Sequence, residues 1–157
     1  MSKSLARVRG ALETAGLETD ILEMPDSTRT AAEAAAAAGC EIDQICKSII
    51  FEGTASKRVY LFLTAGGNRV DAARASALAG EELGRAEAND VRAQTGFAIG
   101  GVSPIGHLSP VPSFWDPRLS EFETVWAAAG TPRHIFPVSP ADLLRVTGAT
   151  PGAFTEN

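Results

Sequence analysis

The spacing of apolar positions along the chain predicts an interleaved set of helices and strands. Leu5, Val8, Leu12 and Ala15 fall at i, i+3, i+7 and i+10, which predicts an amphipathic helix over 4–15 that stops at Gly16. Helix-ending glycines, capping residues and a Ser-Pro start predict four further helices, over 31–38, 71–79, 89–95 and 140–146.

Two of these helices carry explicit start signals. Thr30 and Glu33 have the S/T-x-x-E spacing of a capping box, in which the hydroxyl accepts from the third amide and the carboxylate reaches back to the cap amide. The helix over 31–38 should therefore begin directly after Thr30, and its small alanine side chains let it lie close to another element. Asn89 or Asp90 is the expected N-cap of the helix over 89–95.

Short apolar runs bounded by turn residues predict the strands: 20–24, 46–51, 59–64, 97–99, 111–115, 124–129 and 134–138. Segments 46–51 and 59–64 should form an antiparallel hairpin, with 46–51 buried on both faces after its first residues. Prolines favour a sheet edge for 111–115, and the tail from Thr150 is expected to fray.

The way these strands are connected favours one fold class. Several are joined by tight turns, including a second hairpin formed by 124–129 and 134–138. This favours an α+β fold, with a mixed, largely antiparallel sheet and flanking helices, over a doubly wound parallel sheet. Because neither a linker nor an internal repeat is evident, residues 1–157 are expected to form a single domain.

The composition of the chain limits which classes of partner it can bind. Its 157 residues include 45% hydrophobic and 21% charged residues, with a net charge of −5. The acidic balance argues against coating nucleic acid by charge alone, yet it permits a few contacts to one RNA end. No apolar run approaches the roughly 20 residues of a membrane span, the N-terminus lacks an apolar leader, and two cysteines make no disulfide framework. We therefore expect a cytoplasmic protein without a membrane partner.

Lys47 and a glycine-rich loop are the main candidates for chemistry. Lys47 lies near the start of an apolar strand. Either its aliphatic chain covers the sheet edge, or its ammonium group points at a phosphate or a carbonyl. The loop over 100–107 contains three glycines and a proline. It is either a tight turn or a set of exposed amides that holds an anion or a developing oxyanion. Spacing alone leaves both pairs of alternatives open.

Other polar residues give weaker signals. His107 lies in the glycine loop, where a pocket role is conceivable, whereas His134 begins a strand and is expected to be structural. The spacing of Cys40 and Cys46 fits no zinc pattern, so no metal site is expected. Ser103 has no evident Asp–His pair, which disfavours a Ser-His-Asp hydrolase.

Longer motifs carry a family resemblance. The run from Ile45 to Phe51, ICKSIIF, resembles a strand written (V/I)xK(S/T)L(V/I)F. Thr95 to His107, TGFAIGGVSPIGH, resembles a TGFxxGGVxPxG segment with a G-x-x-x-P signature, and 129–143 resembles the closing stretch of the same pattern. The likeness covers nearly the whole chain in the right order. By these motifs the chain is similar to the YbaK/prolyl-tRNA editing-domain family of aminoacyl-tRNA deacylases.

The resemblance implies a barrel-like mixed sheet with surrounding helices and a free-standing, trans-acting deacylase. The expected substrate is mischarged tRNA, most simply tRNA(Pro) carrying Cys or Ala, with prolyl-tRNA synthetase as a further candidate partner and with no metal or organic cofactor. The residues that this resemblance assigns are, for catalysis, Lys47, Gly100 and Gly101, and for substrate binding, Thr30, Ser103, Pro104, Gly106 and His107.

The resemblance also suggests a mechanism. Lys47 would pair with a phosphate near the 3′ end, the loop would bind the ester carbonyl or orient the attacking water, and the vicinal ribose hydroxyl would shuttle the proton. Two rival functions remain at this point: a non-catalytic module that binds tRNA or an aminoacyl-nucleotide, and an esterase that acts on another small acyl ester.

Overall fold

The computed structural model describes residues 2–26 and 30–156. Its five α-helices are α1 Lys3–Thr14, α2 Ala31–Ala38, α3 Ala72–Ala79, α4 Ala88–Thr95 and α5 Pro140–Thr147. Two 3₁₀ helices cover Ile42–Gln44 and Pro117–Glu121. The predicted capping box is confirmed: Thr30 accepts from the Glu33 amide, while the Glu33 carboxylate accepts from the Thr30 amide.

The strands of the described residues form a mixed sheet. They are β1 Leu22–Glu23, β2 Ile45–Gly53, β3 Val59–Ala65, β4 Leu83–Arg85, β5 Ser113–Trp115, β6 Val125–Ala128, β7 His134–Val138 and β8 Thr150–Pro151. Their order is β1-β7-β6-β2-β3-β5-β8, with β4 paired to β2. Four pairings are antiparallel (β1–β7, β2–β3, β2–β4, β6–β7) and three are parallel (β2–β6, β3–β5, β5–β8). The predicted fold class is confirmed.

The sheet separates two apolar clusters because side chains alternate along its strands. On one face, Leu61 and Leu63 of β3 pack in the cluster that contains Val8 of α1 and Leu143 of α5. On the other face, Tyr60 and Phe62 pack with Ala75 and Phe154. A smaller cluster joins α2 to the sheet through Met24, Ala34, Ala35, Ile45 and Ile135.

Strand β2 is paired fully on one side only. Its register with β3 runs from Cys46 to Glu52, but on the other side β6 reaches only Ile45 and Cys46, and β4 begins only at Phe51. The stretch 47–50 therefore pairs with β3 but has no strand on its other side. These residues are half-buried, so the prediction that 46–51 is buried on both faces is wrong. The missing neighbour leaves a gap in the sheet.

The strand predicted over 97–99 is also wrong, because local bonds use the main chain there. Gly96 ends α4 with a φ of +84°. The Phe97 amide donates to Thr95 Oγ1 at 3.0 Å, and the Gly101 amide closes a turn on the Ala98 carbonyl at 3.0 Å. This leaves a compact turn instead of a ladder.

Three further expectations need correction. The N-cap of α4 is Glu87, neither Asn89 nor Asp90. Strand β5 lies between β3 and β8 and is not an edge. The described part of the tail, 150–156, does not fray, since β8 pairs with β5 and Phe154 is fully buried. Strand β4 was not foreseen: its three residues, Leu-Gly-Arg, are too short and too mixed to give a periodic signal.

Candidate functional site

Two cavities meet at the gap beside β2. A cavity of about 530 Å³, here called the lysine pocket, contains Lys47 in its wall. A cavity of about 880 Å³, here called the β4 pocket, extends toward Arg85 and Glu87. Both are lined by Ser48, Ile49, Gly100 and Val102. We call the pair the cleft, because these four shared residues make one continuous floor.

The unpaired edge of β2 turns main-chain groups into the cleft. Leu61 and Leu63 pair with Ile50 and Ser48 in register. The Leu61 N–H and the Leu63 carbonyl bond to the segment on the far side of β3, at 2.9 Å each. In an antiparallel pair, two residues that lie directly opposite each other behave alike. If the N–H and C=O of one residue point away from the partner strand, those of the opposite residue do so too. The main-chain N–H and C=O groups of Ser48 and Ile50 therefore point away from β3, toward the gap.

Ser48 adds a side-chain group at the same place. Among the described residues, its Oγ is the buried side-chain oxygen or nitrogen for which no hydrogen-bond partner exists. A buried hydroxyl without a partner costs free energy, about 1–3 kcal/mol in proteins. Such a group in the wall of a cleft favours a ligand or water as its partner.

Lys47 is held by a main-chain oxygen. Its Nζ donates to the Asn68 carbonyl at 2.6 Å, and the side chain is half-buried. Burial lowers the pKa of the Lys47 ammonium, and nearby Arg69 lowers it further, while Asp43 and Asp116 oppose both effects. The result is a directed cation on a rigid strand.

The turn that carries Asn68 is fastened by two carboxylates. Asp116 is 3% exposed, and its Oδ2 accepts from the Ala65 amide at 3.0 Å and from Asn68 Nδ2 at 2.9 Å. Asp43 Oδ1 accepts from the Gly67 amide at 2.8 Å. The turn is therefore fixed at both ends and in its middle.

Gly100 lies in a second turn and lines the lysine pocket together with Lys47. Its φ of +94° suits glycine, and a Cβ built there would meet nothing within 4 Å. Among the residues that the model describes, no bond of the Gly100 amide is found, whereas the Gly101 amide is used within the turn. Gly101 instead packs against the Thr131 main chain, where a Cβ would come within 3.0 Å. Gly100 presents the open amide, and Gly101 lets the turn sit close to the β6–β7 hairpin.

The model brings some sequence-predicted residues together and separates others. Thr30, Lys47 and Gly100 all line the lysine pocket. Ser103 is buried, and its Oγ accepts from the Ile105 amide at 3.3 Å. Pro104, Gly106 and His107 line a different cavity of about 430 Å³ beside α1 and α5.

His107 is bound within its own loop. Its Nε2 lies 2.7 Å from the Ser103 carbonyl, and burial lowers the pKa of the imidazole. It has no place in the wall of the cleft. The roles predicted for all eight residues remain predictions, but only three of these residues share that cleft.

Several residues of the site were missed from the sequence. The β6–β7 hairpin contributes Trp126, Ala128 and Ile135 to the lysine pocket, and these look like ordinary strand residues. Asn68 and Asp116 look like turn and capping residues. Their only signal was position, since Asn68 follows two glycines directly after an apolar strand.

The described residues contain neither a cluster of metal ligands nor a membrane-spanning helix. Within residues 2–26 and 30–156, no three His, Cys, Asp or Glu side chains come together as a set that could hold a metal ion. Over the same residues, no helix has the length and apolar character required to cross a membrane.

Comparisons with known proteins agree on one family. The sequence model of one protein family, the aminoacyl-tRNA editing domain, matches residues 25–146 of this chain. The uncharacterized protein YwhH of Bacillus subtilis (strain 168) is 31% identical over 140 residues, which cover 89% of this chain and 88% of that protein.

Solved structures show the same likeness. One, described as a "putative trans-editing enzyme for prolyl tRNA synthetase", is 48% identical with a TM-score of 0.92, covering 100% of this chain and 99% of that chain. Another, the hypothetical protein APE2540, is 31% identical with a TM-score of 0.84, covering 96% and 99%. The chain belongs to the aminoacyl-tRNA editing-domain family and is a hydrolase of aminoacyl-tRNA esters.

Proposed function

We propose that this protein is a trans-acting deacylase that hydrolyses the ester of tRNA(Pro) carrying a wrong small amino acid, Cys or Ala. The observation that carries the proposal is that Lys47 and Gly100 line one cavity. The 48% identical structure described as a putative trans-editing enzyme for prolyl tRNA synthetase supports tRNA(Pro) as the substrate. The acyl–nucleotide junction is the part of the substrate that needs both groups.

Lys47 supplies the positive charge in this proposal. An ammonium has three donors, and one of them is taken by the Asn68 carbonyl. The other two are available for a phosphate oxygen near the 3′ end of the tRNA. A lysine acts as a compact point charge, which suits a phosphate that must be positioned without bidentate readout. Lys47 thereby fixes where the ester lies.

The second turn supplies the donor for the ester. We assign the open Gly100 amide to the carbonyl oxygen, or to the water that attacks it. One oxyanion donor contributes about 10²–10³ in rate. Gly101 serves this role indirectly, because its close packing on Thr131 holds the turn in place.

The proton transfer is assigned to the substrate itself. Among the described residues that line the lysine pocket, the titratable side chains are Lys47, His134 and Cys46. Burial raises the pKa of the Cys46 thiol, and His134 Nδ1 lies 2.6 Å from Thr131 Oγ1, which ties the imidazole to its own hairpin. The 2′- or 3′-hydroxyl next to the ester can pass the proton to the leaving oxygen. A tRNA that ends in the deoxy sugar should therefore still bind but should not be deacylated.

The shape of the lysine pocket bears on which acyl groups are edited. Its wall includes Ala31, Ala34 and Ala128, together with the larger Met24 and Trp126. One methylene in such an apolar site changes discrimination by only about 1–3 kcal/mol. We therefore expect graded preferences among small amino acids, and rejection of proline must come from shape.

The acidic net charge of −5 limits how the tRNA is held. Few phosphate contacts mean weak intrinsic affinity and a shallow dependence of binding on salt. Prolyl-tRNA synthetase would then act as a partner that delivers the mischarged tRNA. Adding the synthetase should raise the deacylation rate at low tRNA concentration and should not change the rate at saturation.

The decisive experiment is a deacylation panel. Ala-, Cys-, Ser- and Pro-tRNA(Pro) are incubated with the wild-type protein and with Lys47→Ala, and Lys3→Ala serves as the matched control because Lys3 is exposed at the start of α1. We expect Lys47→Ala to lose about 10²-fold or more in rate, as when an electrostatic catalytic donor is removed. An unchanged rate, or protection of the ester from spontaneous hydrolysis, contradicts the proposal.

A further inference from the structure

The Lys47 ammonium is bound by a turn that contains two consecutive glycines. Residues 65–68 are Ala-Gly-Gly-Asn, and the turn closes with the Asn68 amide on the Ala65 carbonyl at 2.9 Å. Glycine loses more conformational freedom on ordering than any other residue, so two in sequence make a mobile turn unless outside groups fasten it. The Asn68 carbonyl that binds Lys47 lies at the end of this turn.

A single buried carboxylate fastens both ends of the turn. Asp116 Oδ2 accepts from the Ala65 amide and from Asn68 Nδ2, while its Oδ1 accepts from the Arg118 amide at 3.0 Å. Capping the short 3₁₀ helix explains only the last of these bonds. The other two bonds hold the residues on either side of the glycine pair.

We propose that Asp116 is a positioning residue for catalysis, which acts through Asn68 to set the direction of the Lys47 ammonium toward the substrate phosphate. This inference rests on the function proposed above. Asp116 does not line the lysine pocket, so it does not touch the substrate. Its effect is transmitted by two bonds, from carboxylate to Asn68 and from the Asn68 carbonyl to Lys47.

The charges around Lys47 make the inference measurable. The groups that act on it are Arg69, next to the turn, Asp43, on the first 3₁₀ helix, and Asp116, directly after β5. The Asp116 charge raises the pKa of Lys47 against the lowering by burial and Arg69. Removing that negative charge makes the ammonium less favourable, so the pKa of Lys47 should fall.

The test uses Asp116→Asn and Asp116→Ala. Asn can keep one oxygen for the Ala65 and Asn68 donors and mainly removes charge, whereas Ala removes both bonds. Single-turnover deacylation should fall about tenfold or more in Asp116→Ala, because a misplacement of about 1 Å is enough for a large loss in rate. Asp116→Asn should lose less. Glu52→Gln is the control, because Glu52 is also 3% exposed and bonds the Glu87 amide, far along β2 from Lys47.

A second readout follows Lys47 directly. The chain has three lysines, so ¹³Cε-labelled lysine gives three signals that single substitutions assign. The Lys47 signal should titrate at a lower pH in Asp116→Asn than in the wild type, while the signals of Lys3 and Lys57 should not respond to the substitution. Glu52→Gln should leave the Lys47 signal in place even if it lowers the melting temperature.

The outcomes separate this inference from the function on which it rests. If Lys47→Ala abolishes turnover but both Asp116 variants keep the wild-type rate, or lose rate with an unmoved Lys47 signal, Asp116 is not a positioning residue and the proposed function stands. If Lys47→Ala keeps its rate, the site itself is wrong. Loss of rate in Asp116→Ala together with a shifted Lys47 signal in Asp116→Asn supports the inference.

Discussion

Two glycine-containing turns serve the cleft, one through its bond to Lys47 and the other directly through Gly100, and they are held in opposite ways. The turn over 65–68 is fastened from outside by the Asp43 and Asp116 carboxylates, and it offers a carbonyl to a cation. The turn over 98–101 closes on itself and packs on the β6–β7 hairpin, and it offers an open amide. Carbonyl oxygens suit cations and amide N–H groups suit anions, so two turns of similar composition present opposite polarity.

The largest effect should come from filling the first turn. Gly66 packs against the Ile42 carbonyl, and a Cβ built on it would overlap that oxygen. Gly66→Ala should therefore displace the turn and cost roughly 3 kcal/mol of unfolding free energy, at the upper end for overpacking in a closed site. Denaturant unfolding measures the cost.

The same variant tests whether the turn serves Lys47. If the turn moves, the Asn68 carbonyl moves with it, and deacylation should fall by more than the loss of folded protein explains. Gly10→Ala is the control, since Gly10 lies in α1 and a Cβ there meets nothing within 4 Å. A Gly66→Ala protein with wild-type stability would show that this turn is not rigidly fastened.

The two turns also differ in how well their roles could be predicted from the sequence. The glycine loop was found because Gly100 and Pro104 belong to a long motif. Nothing local in the sequence of the first turn marks the Asn68 carbonyl as a ligand. Its partner Asp116 lies 48 residues away, and a contact at that separation depends on the β3–β5 pairing. Tertiary pairing of this kind has no periodic signal in one sequence.

The fold itself was easier to predict than its gap. Helices α1, α2 and α5 follow from periodicity and caps, and both hairpins follow from apolar runs around turns. The gap beside residues 47–50 arises because β6 and β4 stop short on either side of it. That is a property of strand lengths in three dimensions, and β4 is too short to be read from its residues.

An intermediate effect is expected at the second turn. Gly100→Ala meets no atom, so its cost is the positive φ alone, about 1–2 kcal/mol for an L-residue in left-handed backbone. The side chain would also stand in the cleft beside the amide assigned to the ester. We expect the loss in deacylation rate, expressed as a free energy, to exceed the loss in unfolding free energy. Equal losses in both quantities would make this turn merely structural. Time-course deacylation assays give the rate, and denaturant unfolding of the same preparations gives the unfolding free energy.

The smallest effect on rate should come from His107→Gln, at the far end of the second turn's loop. His107 lines the separate cavity beside α1, so the deacylation rate at pH 7.5 should stay within about twofold of wild type, a small change in barrier. The effect of His107 should instead be seen in the stability of the protein. Burial lowers the pKa of His107 below its ordinary value of 6.5, so the unfolded chain binds more protons than the folded one as the pH falls through 6.5.

The wild type should therefore lose stability below about pH 6.5, by at most about 1.4 kcal/mol per pH unit from this group. Gln can still donate to the Ser103 carbonyl but has no proton to gain, so the variant should lack this part of the decline between pH 7.5 and 5.5. Unfolding free energies at the two pH values measure it. A tenfold loss of rate at pH 7.5 with stability intact would instead extend the cleft to His107.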